Sequence, residues 1–220
     1  MPYQPLANSI AWWNPSVSKL GQKKPPAVVS HDWATWFHSG TPTSKRRCAF
    51  TATSGGIGAT PVVVDDLVLI GSFDGKVYAI DAATGKLRWV FEGATGWFWA
   101  QVAVDGDTVY APSFDGRVYA LDLQTGEEAS AWAGPFDAKD LMKASPSIVD
   151  GVLVVATENG LVIGIDLSSG EEKWSTDLES KIFAPLVSVG GTVYVNAQDN
   201  RLYALDGETG AEEWSVGLGD

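Results

Sequence analysis

Cysteine is almost missing from this chain, and that scarcity alone removes several chemistries. Cys48 is the only one in 220 residues, so no disulfide can form within the chain. Histidine is nearly as rare. His31 and His38 stand seven apart, a spacing that does not suit metal ligation, and both read as surface or packing side chains. With them goes any visible nucleophile–base arrangement, and neither a G-x-S-x-G elbow nor a phosphate loop occurs. Long apolar runs are absent as well: Val152-Leu-Val-Val-Ala156 is far too short to cross a membrane. No charged-then-apolar signal peptide is visible. Positive charge is in deficit, with 15 Lys and Arg against 27 Asp and Glu. The resulting net charge of −12 argues against nucleic acid and anionic membranes as partners, and is read as serving solubility.

What the chain has instead is repetition. Ser72-Phe-Asp-Gly-Lys-Val-Tyr-Ala-Ile-Asp-Ala-Ala-Thr-Gly-Lys-Leu-Arg-Trp89 returns as Ser113-Phe-Asp-Gly-Arg-Val-Tyr-Ala-Leu-Asp-Leu-Gln-Thr-Gly126. It returns again as Glu158-Asn-Gly-Leu-Val-Ile-Gly-Ile-Asp-Leu-Ser-Ser-Gly-Glu-Glu-Lys-Trp174, and finally over Gln198–Trp214. The aspartates Asp81, Asp122, Asp166 and Asp206 follow one another at intervals of 41, 44 and 40 residues. A period near forty means one supersecondary unit stacked repeatedly. Within the unit, runs of four to six residues rich in Val, Ile, Leu, Tyr and Phe alternate with Gly/Asp turns. That pattern predicts four antiparallel strands joined by hairpins. The expected fold is therefore all-β, a β-propeller of four-stranded antiparallel blades at about 59–96, 100–139, 144–180 and 184–220. At this length the chain can bury about 70% of its unfolded surface.

The turn residues have mechanical explanations. Gly75, Gly116, Gly160 and Asn200 are expected at positive φ in the second hairpin, and Gly85, Gly126, Gly170 and Gly210 in the third. The aspartates four residues earlier accept bonds from turn N–H groups; a cation-binding role for them is the lesser reading, because a residue repeated in every blade serves the blade. Trp89, Trp174 and Trp214 face a small residue of the preceding strand (Ala79, Gly164, Ala204), which predicts a blade-to-blade wedge, a tryptophan docking motif. The second unit delays its Trp132 by two residues, so a bulge or a displaced ring is expected there. Lys45-Arg-Arg-Cys-Ala-Phe50 aligns with Lys86-Leu-Arg-Trp-Val-Phe91, which puts Cys48 at a tryptophan position as a small buried group.

The string Asp-Gly-x-x-x-Ala-x-Asp-x-x-Thr-Gly-x-x-x-Trp resembles the repeat of pyrroloquinoline-quinone-type (PQQ-like) β-propellers over roughly residues 45–220. That superfamily includes quinoprotein alcohol dehydrogenases and the BamB-like outer-membrane assembly lipoproteins. The resemblance implies an extracytoplasmic, periplasmic setting and leaves activity open. A dehydrogenase of this type needs the quinone, a calcium or lanthanide ion held by a carboxylate and an amide, and an aspartate base, and commonly an adjacent-cysteine disulfide. One Cys cannot supply that pair, and no acidic-plus-amide cluster stands outside the repeating turns. No cofactor, catalytic residue or metal ligand is therefore expected; PQQ with calcium belongs to the alternative. The favoured expectation is a non-catalytic scaffold for protein–protein or ligand binding.

Residues 1–44, with Pro2, Pro5, Pro15, Pro25 and Pro26, read as an irregular leader. Asp32-Trp33-Ala-Thr-Trp36-Phe37 is similar to the aromatic segment that precedes propellers of this family, and Trp12 and Trp13 either dock a partner or pack on the first blade. Residues 45–57 supply one extra N-terminal strand, four full units follow, and no complementary remainder closes the ring. An open arc is expected, completed by self-association or a longer chain, with four blades closing alone as the other possibility.

Propellers bind at the ends of their central channel. Aligning the units at Ala59, Ala100, Ala144 and Ala184 puts Gly58, Trp99, Lys143 and Phe183 at one position that does not repeat chemically. Variation inside a uniform repeat marks a specialised surface. The richest loop is Gly96-Trp97-Phe98-Trp99, whose consecutive aromatics do not fit strand alternation. With Lys143, Lys181 and Phe183 they form a candidate recognition patch for a peptide segment or flat ligand; rings plugging a narrow channel are the equal alternative.

Overall fold

The computed structural model describes residues 53–219. They form four antiparallel four-stranded sheets in chain order, and no helix occurs among the described residues. The first sheet holds β1 (Val62–Val64), β2 (Leu67–Gly71), β3 (Val77–Asp81) and β4 (Leu87–Phe91). The second holds β5 (Ala103–Asp105), β6 (Thr108–Pro112), β7 (Arg117–Asp122) and β8 (Phe136–Asp137). The third holds β9 (Ser147–Val149), β10 (Val152–Ala156), β11 (Leu161–Asp166) and β12 (Glu172–Asp177). The fourth holds β13 (Val187–Val189), β14 (Thr192–Asn196), β15 (Arg201–Asp206) and β16 (Glu212–Gly217). These are propeller blades. The expected N-terminal strand, the leader, Cys48 and both histidines lie wholly or mainly outside the described residues.

Local chemistry explains each hairpin. Val64 pairs with Leu67, leaving Asp65-Asp66 as a two-residue turn with Asp65 at φ 51°. In the third hairpin Asp81 Oδ1 accepts from the Thr84 N–H at 2.7 Å and from its hydroxyl at 2.6 Å. Asp122 does the same with Thr125, Asp166 with Ser169, and Asp206 with Thr209. Those bonds hold all four carboxyls below their usual range. Gly126 closes its turn at φ 74°, and a Cβ there would lie 2.4 Å from the Trp89 ring. Turn geometry and close packing thus demand glycine together.

Strand alternation sends one face of each sheet toward the next. Leu67, Leu69, Val77 and Ala79 meet Val109, Ala111, Tyr119 and Leu121 in the first seam. Tyr110, Val118 and Ala120 meet Leu153, Val155, Ile163 and Ile165 in the second. Val152, Val154 and Val162 meet Val193, Val195 and Leu205 in the third. A tryptophan wedges every seam. Trp89 Nε1–H donates to the Leu123 carbonyl at 2.8 Å, Trp132 to Leu167 at 3.0 Å, and Trp174 to Gly207 at 3.1 Å. A β-bulge immediately before the tryptophan sets its direction in the regular blades, with Arg88, Lys173 and Glu213 as the extra residues.

In the second blade, of the bulge and the displaced ring expected as alternatives, the irregularity falls on the backbone. The Trp132 ring is not displaced; it is buried and hydrogen-bonded like the others. The backbone absorbs the two-residue delay: after the Leu121–Glu128 bridge the ladder stops, and β8 resumes it for two residues only. Seating the indole is worth more than keeping the edge ladder, since a buried Trp contributes about 3–5 kcal/mol and an edge hydrogen bond about 1.

Four sheets share three seams. Among the described residues no hydrogen bond or ring contact joins the fourth sheet to the first, so the four described sheets form an arc. Trp214 is 44% exposed, and Val187, Val189, Val216 and Leu218 are exposed around it.

Candidate binding site at one end of the arc

Two loops of every blade meet at one end of the arc: the lead-in loop before the first strand and the second hairpin. The amide of Phe73 donates to the Gly56 carbonyl at 2.9 Å, Phe114 to Trp97 at 2.9 Å, Glu158 to Leu141 at 2.8 Å, and Gln198 to Lys181 at 2.9 Å. This bond recurs in all four blades and places unlike side chains in one row. Lead-in loops contribute Gly58, Trp99, Lys143 and Phe183; hairpins contribute Phe73, Phe114, Glu158 and Gln198.

The aromatic part of the row is a stack. Phe73 lies 5.1 Å from Trp99 with planes 5° apart, and 5.8 Å from Trp97. Phe114 lies on the other side of both, 6.0 Å from Trp99 and 6.1 Å from Trp97. Phe73 also packs closely on backbone: a Cβ on Gly58 would lie 2.4 Å from the ring, and one on Gly56 3.1 Å. The glycine-rich start of the first lead-in loop is thereby explained. Lys143 Nζ continues the row, 6.0 Å from the centroid of Phe114 and 4.7 Å from that of Phe183. The two tryptophans thus keep stacked neighbours while remaining about half exposed.

Charge closes the row. Glu158 accepts from Lys143 at 2.7 Å and from Lys181 at 3.0 Å. The bonds from Lys143 and then Lys181 hold the Glu158 carboxyl below its usual range. Beneath the rings, repeated carboxylates fasten the loops. Asp115 Oδ2 accepts from the Tyr119 hydroxyl at 2.7 Å and from the Thr95 amide at 3.0 Å. Burial works to raise that carboxyl, but the bonds from Tyr119, Thr95, Ser113 and Arg117 outweigh it and the net direction is down. Burial and the Asp115 charge push Tyr119 up to about 12. Asp74 repeats the arrangement with Tyr78 and Ser54.

Of the six residues singled out from sequence, Trp97, Trp99, Lys143, Lys181 and Phe183 come together here. Phe98 does not. It is fully buried in the first seam, edge-on to Phe91 and Tyr119. Alternation explains it: the loop runs extended, so Trp97 and Trp99 point out, at 52% and 45% exposure, and Phe98 points in. Such exposure also argues against the two tryptophans plugging a channel. Sequence reasoning missed Phe73, Phe114 and Glu158. The signal was available, since the position before Asp-Gly, Asn-Gly or Asp-Asn reads Phe, Phe, Glu and Gln in an otherwise similar hairpin.

A family model described as outer membrane protein assembly factor BamB matches residues 30–133 and again 129–219. The chain belongs to this family of PQQ-like propeller repeats. It is 34% identical to a quinohemoprotein alcohol dehydrogenase of Comamonas testosteroni over 95 residues, covering 38% of this chain and 13% of that protein. It is 35% identical to the serine/threonine-protein kinase AfsK of Streptomyces coelicolor over 172 residues, 76% of this chain and 20% of the kinase. Among solved structures, the computationally designed Ika4 protein superposes with a TM-score of 0.63 at 19% identity, over 72% of this chain and 95% of its own. The chain thus spans a fifth or less of the length of these two natural relatives. A dehydrogenase, a kinase and an assembly factor share the repeat, so the family establishes the fold and leaves the activity to the site.

Proposed function

We propose that this propeller is a non-catalytic scaffold that binds a protein partner, in the manner of the BamB-like members, through the aromatic row at one end of the arc. One observation carries the reading: Trp97 and Trp99 are half exposed yet held between Phe73 and Phe114, so they offer apolar surface without having to be ordered on binding. The family description supports an extracytoplasmic setting and a protein partner. The bare face of the fourth sheet supports self-association or a longer chain as what completes the ring.

The alternative is a quinoprotein dehydrogenase or a part of one, with PQQ and calcium. The stacked rings at this end of the arc favour the scaffold reading over that group. A planar quinone needs a free ring face, whereas Trp97 and Trp99 are stacked on Phe73 and Phe114, and Lys143 lies over Phe114 and Phe183. Of the carboxylates at this end, Glu158 is held by two ammoniums, whereas Asp74 Oδ1 is buried without a hydrogen-bond partner among the described residues. The test uses a displayed library of short random peptides. The wild-type protein should enrich a defined set, and W97A/W99A should enrich none while unfolding at the same denaturant concentration. Undiminished enrichment by that variant overturns the reading, and saturable binding of PQQ with calcium establishes the alternative.

A further inference from the structure

The row ends in a charge imbalance. Among the described ion pairs, Lys76 faces Glu92 and Arg88 faces Asp66 and Asp81, so carboxylates equal or outnumber cations. Only at the row do two ammoniums share one carboxylate. This sharing of one carboxylate by two ammoniums stands out in a chain of net charge −12, with the Asp140 carboxylate beside it holding the Asn159 amide at 3.1 Å. It is also ordered. Lys143 is fixed between the rings of Phe114 and Phe183, and Glu158 sits beneath both ammoniums with its side chain only 17% exposed, while the Lys181 side chain is 56% exposed. A second anion arriving from solvent meets Lys181 and Lys143 before it meets Glu158.

Spacing narrows the occupant. From Trp99 to Phe114, from Phe114 to Lys143, and from Lys143 to Phe183 the steps are 6.0, 6.0 and 4.7 Å. Side chains on one face of an extended peptide repeat at about 6.6 Å. Over the two steps from Trp99 to Lys143 an extended segment can therefore set alternate side chains near successive members of the row, apolar ones at the rings and one at the ammoniums. We infer that the site takes an extended peptide segment in which apolar side chains, spaced two apart, are followed by an acidic side chain that pairs with Lys143 and Lys181. This rests on the protein-binding reading above and adds the chemistry of the partner. The carboxylate adds a charge-assisted bond, worth about ten-fold in affinity.

The peptide library supplies the test. Sequences enriched by the wild-type protein should carry an Asp or Glu next to alternating apolar residues. A synthetic peptide from the enriched set should bind about ten-fold more weakly when its acid is changed to the amide. It should also weaken several-fold as salt rises from ~0.01 to ~1 M, over which the screening length falls from ~30 to ~3 Å. Two variants should move affinity in opposite directions. K143M/K181M leaves Glu158 unpaired and should remove the acidic preference. E158Q frees both ammoniums and should tighten the acidic peptide. A merely structural cluster would make both variants weaker together, and that result overturns the inference. Enrichment that depends on Trp97 and Trp99 but shows no acidic bias sinks the charge inference and leaves the protein-binding reading standing. Enrichment indifferent to the tryptophans, or no enrichment, sinks both.

Discussion

Trp174 and Trp214 are the same residue of the same repeat, and they have opposite fates. Each follows a bulge, and each faces a small partner across its strand pair, Gly164 for one and Ala204 for the other. Trp174 is 8% exposed and donates its indole N–H to the next sheet. Trp214 is 44% exposed, makes no such bond among the described residues, and touches only Tyr194 of its own sheet by its ring. The repeat specifies a wedge; a neighbour specifies its seat. The two outer faces of the arc differ in the same way. On the upstream face of the first sheet, Ile70, Tyr78 and Ile80 are buried to 2–3% exposure while Val63 and Leu87 of the same face are exposed; on the downstream face of the fourth, Val187, Val189, Trp214 and Val216 are all exposed.

The sharpest way to break this comparison is to remove the seated ring. W174A should destabilise by about 3–5 kcal/mol, read as a lower denaturant midpoint with unchanged slope. Next comes its seat. Gly210 has φ 72°, and a Cβ there would lie 2.3 Å from the Trp174 ring, so G210A should cost about 1–3 kcal/mol. The W174A/G210A double variant should cost less than the two single effects together, because the clash disappears with the ring. W214A should cost under about 1 kcal/mol in the isolated chain; a loss as large as that of W174A would mean the fourth face is covered in solution.

The smallest expected effect is on pH dependence. The turn aspartates Asp81, Asp122, Asp166 and Asp206 have lowered carboxyl pKa values in the fold. Their stabilisation is complete above the unfolded value of 3.8 and is lost as pH falls through the lower folded values. Stability should be flat from about pH 5 to 8 and decline below about 4. D81N should flatten that decline slightly, and an unchanged acid limb would remove Asp81 from the account. Tyr119 works in the opposite sense. Its raised value of about 12 keeps it neutral, so its share is present below the ordinary tyrosine range and disappears as pH climbs toward 12.

Much of the fold was legible because repeats average out local ambiguity. A glycine seen at the same turn position four times, or a tryptophan four residues past it in three of the four units, cannot be an accident of one loop. The rest was invisible for a physical reason. Phe98 and Trp99 are adjacent aromatics of similar propensity, and only the direction of each Cβ separates a seam residue from a surface one. Phe73, Phe114 and Glu158 come to Trp99 and Lys143 through backbone bonds between loops that no sequence spacing reports. The rescue of Trp132 was equally hidden, since its cost is carried by a broken edge ladder several residues away.

By itself the amino-acid string determined the unit: four strands, their turns, the carboxylates that tie them and the ring that wedges each blade. All of these depend on neighbours within about forty residues, where the repeat enforces one answer. Tertiary structure alone decided which wedge finds a seat, which aromatic faces water, and which two ammoniums share a carboxylate. Those outcomes depend on the next blade, and identical local chemistry yields burial beside a neighbour and exposure without one.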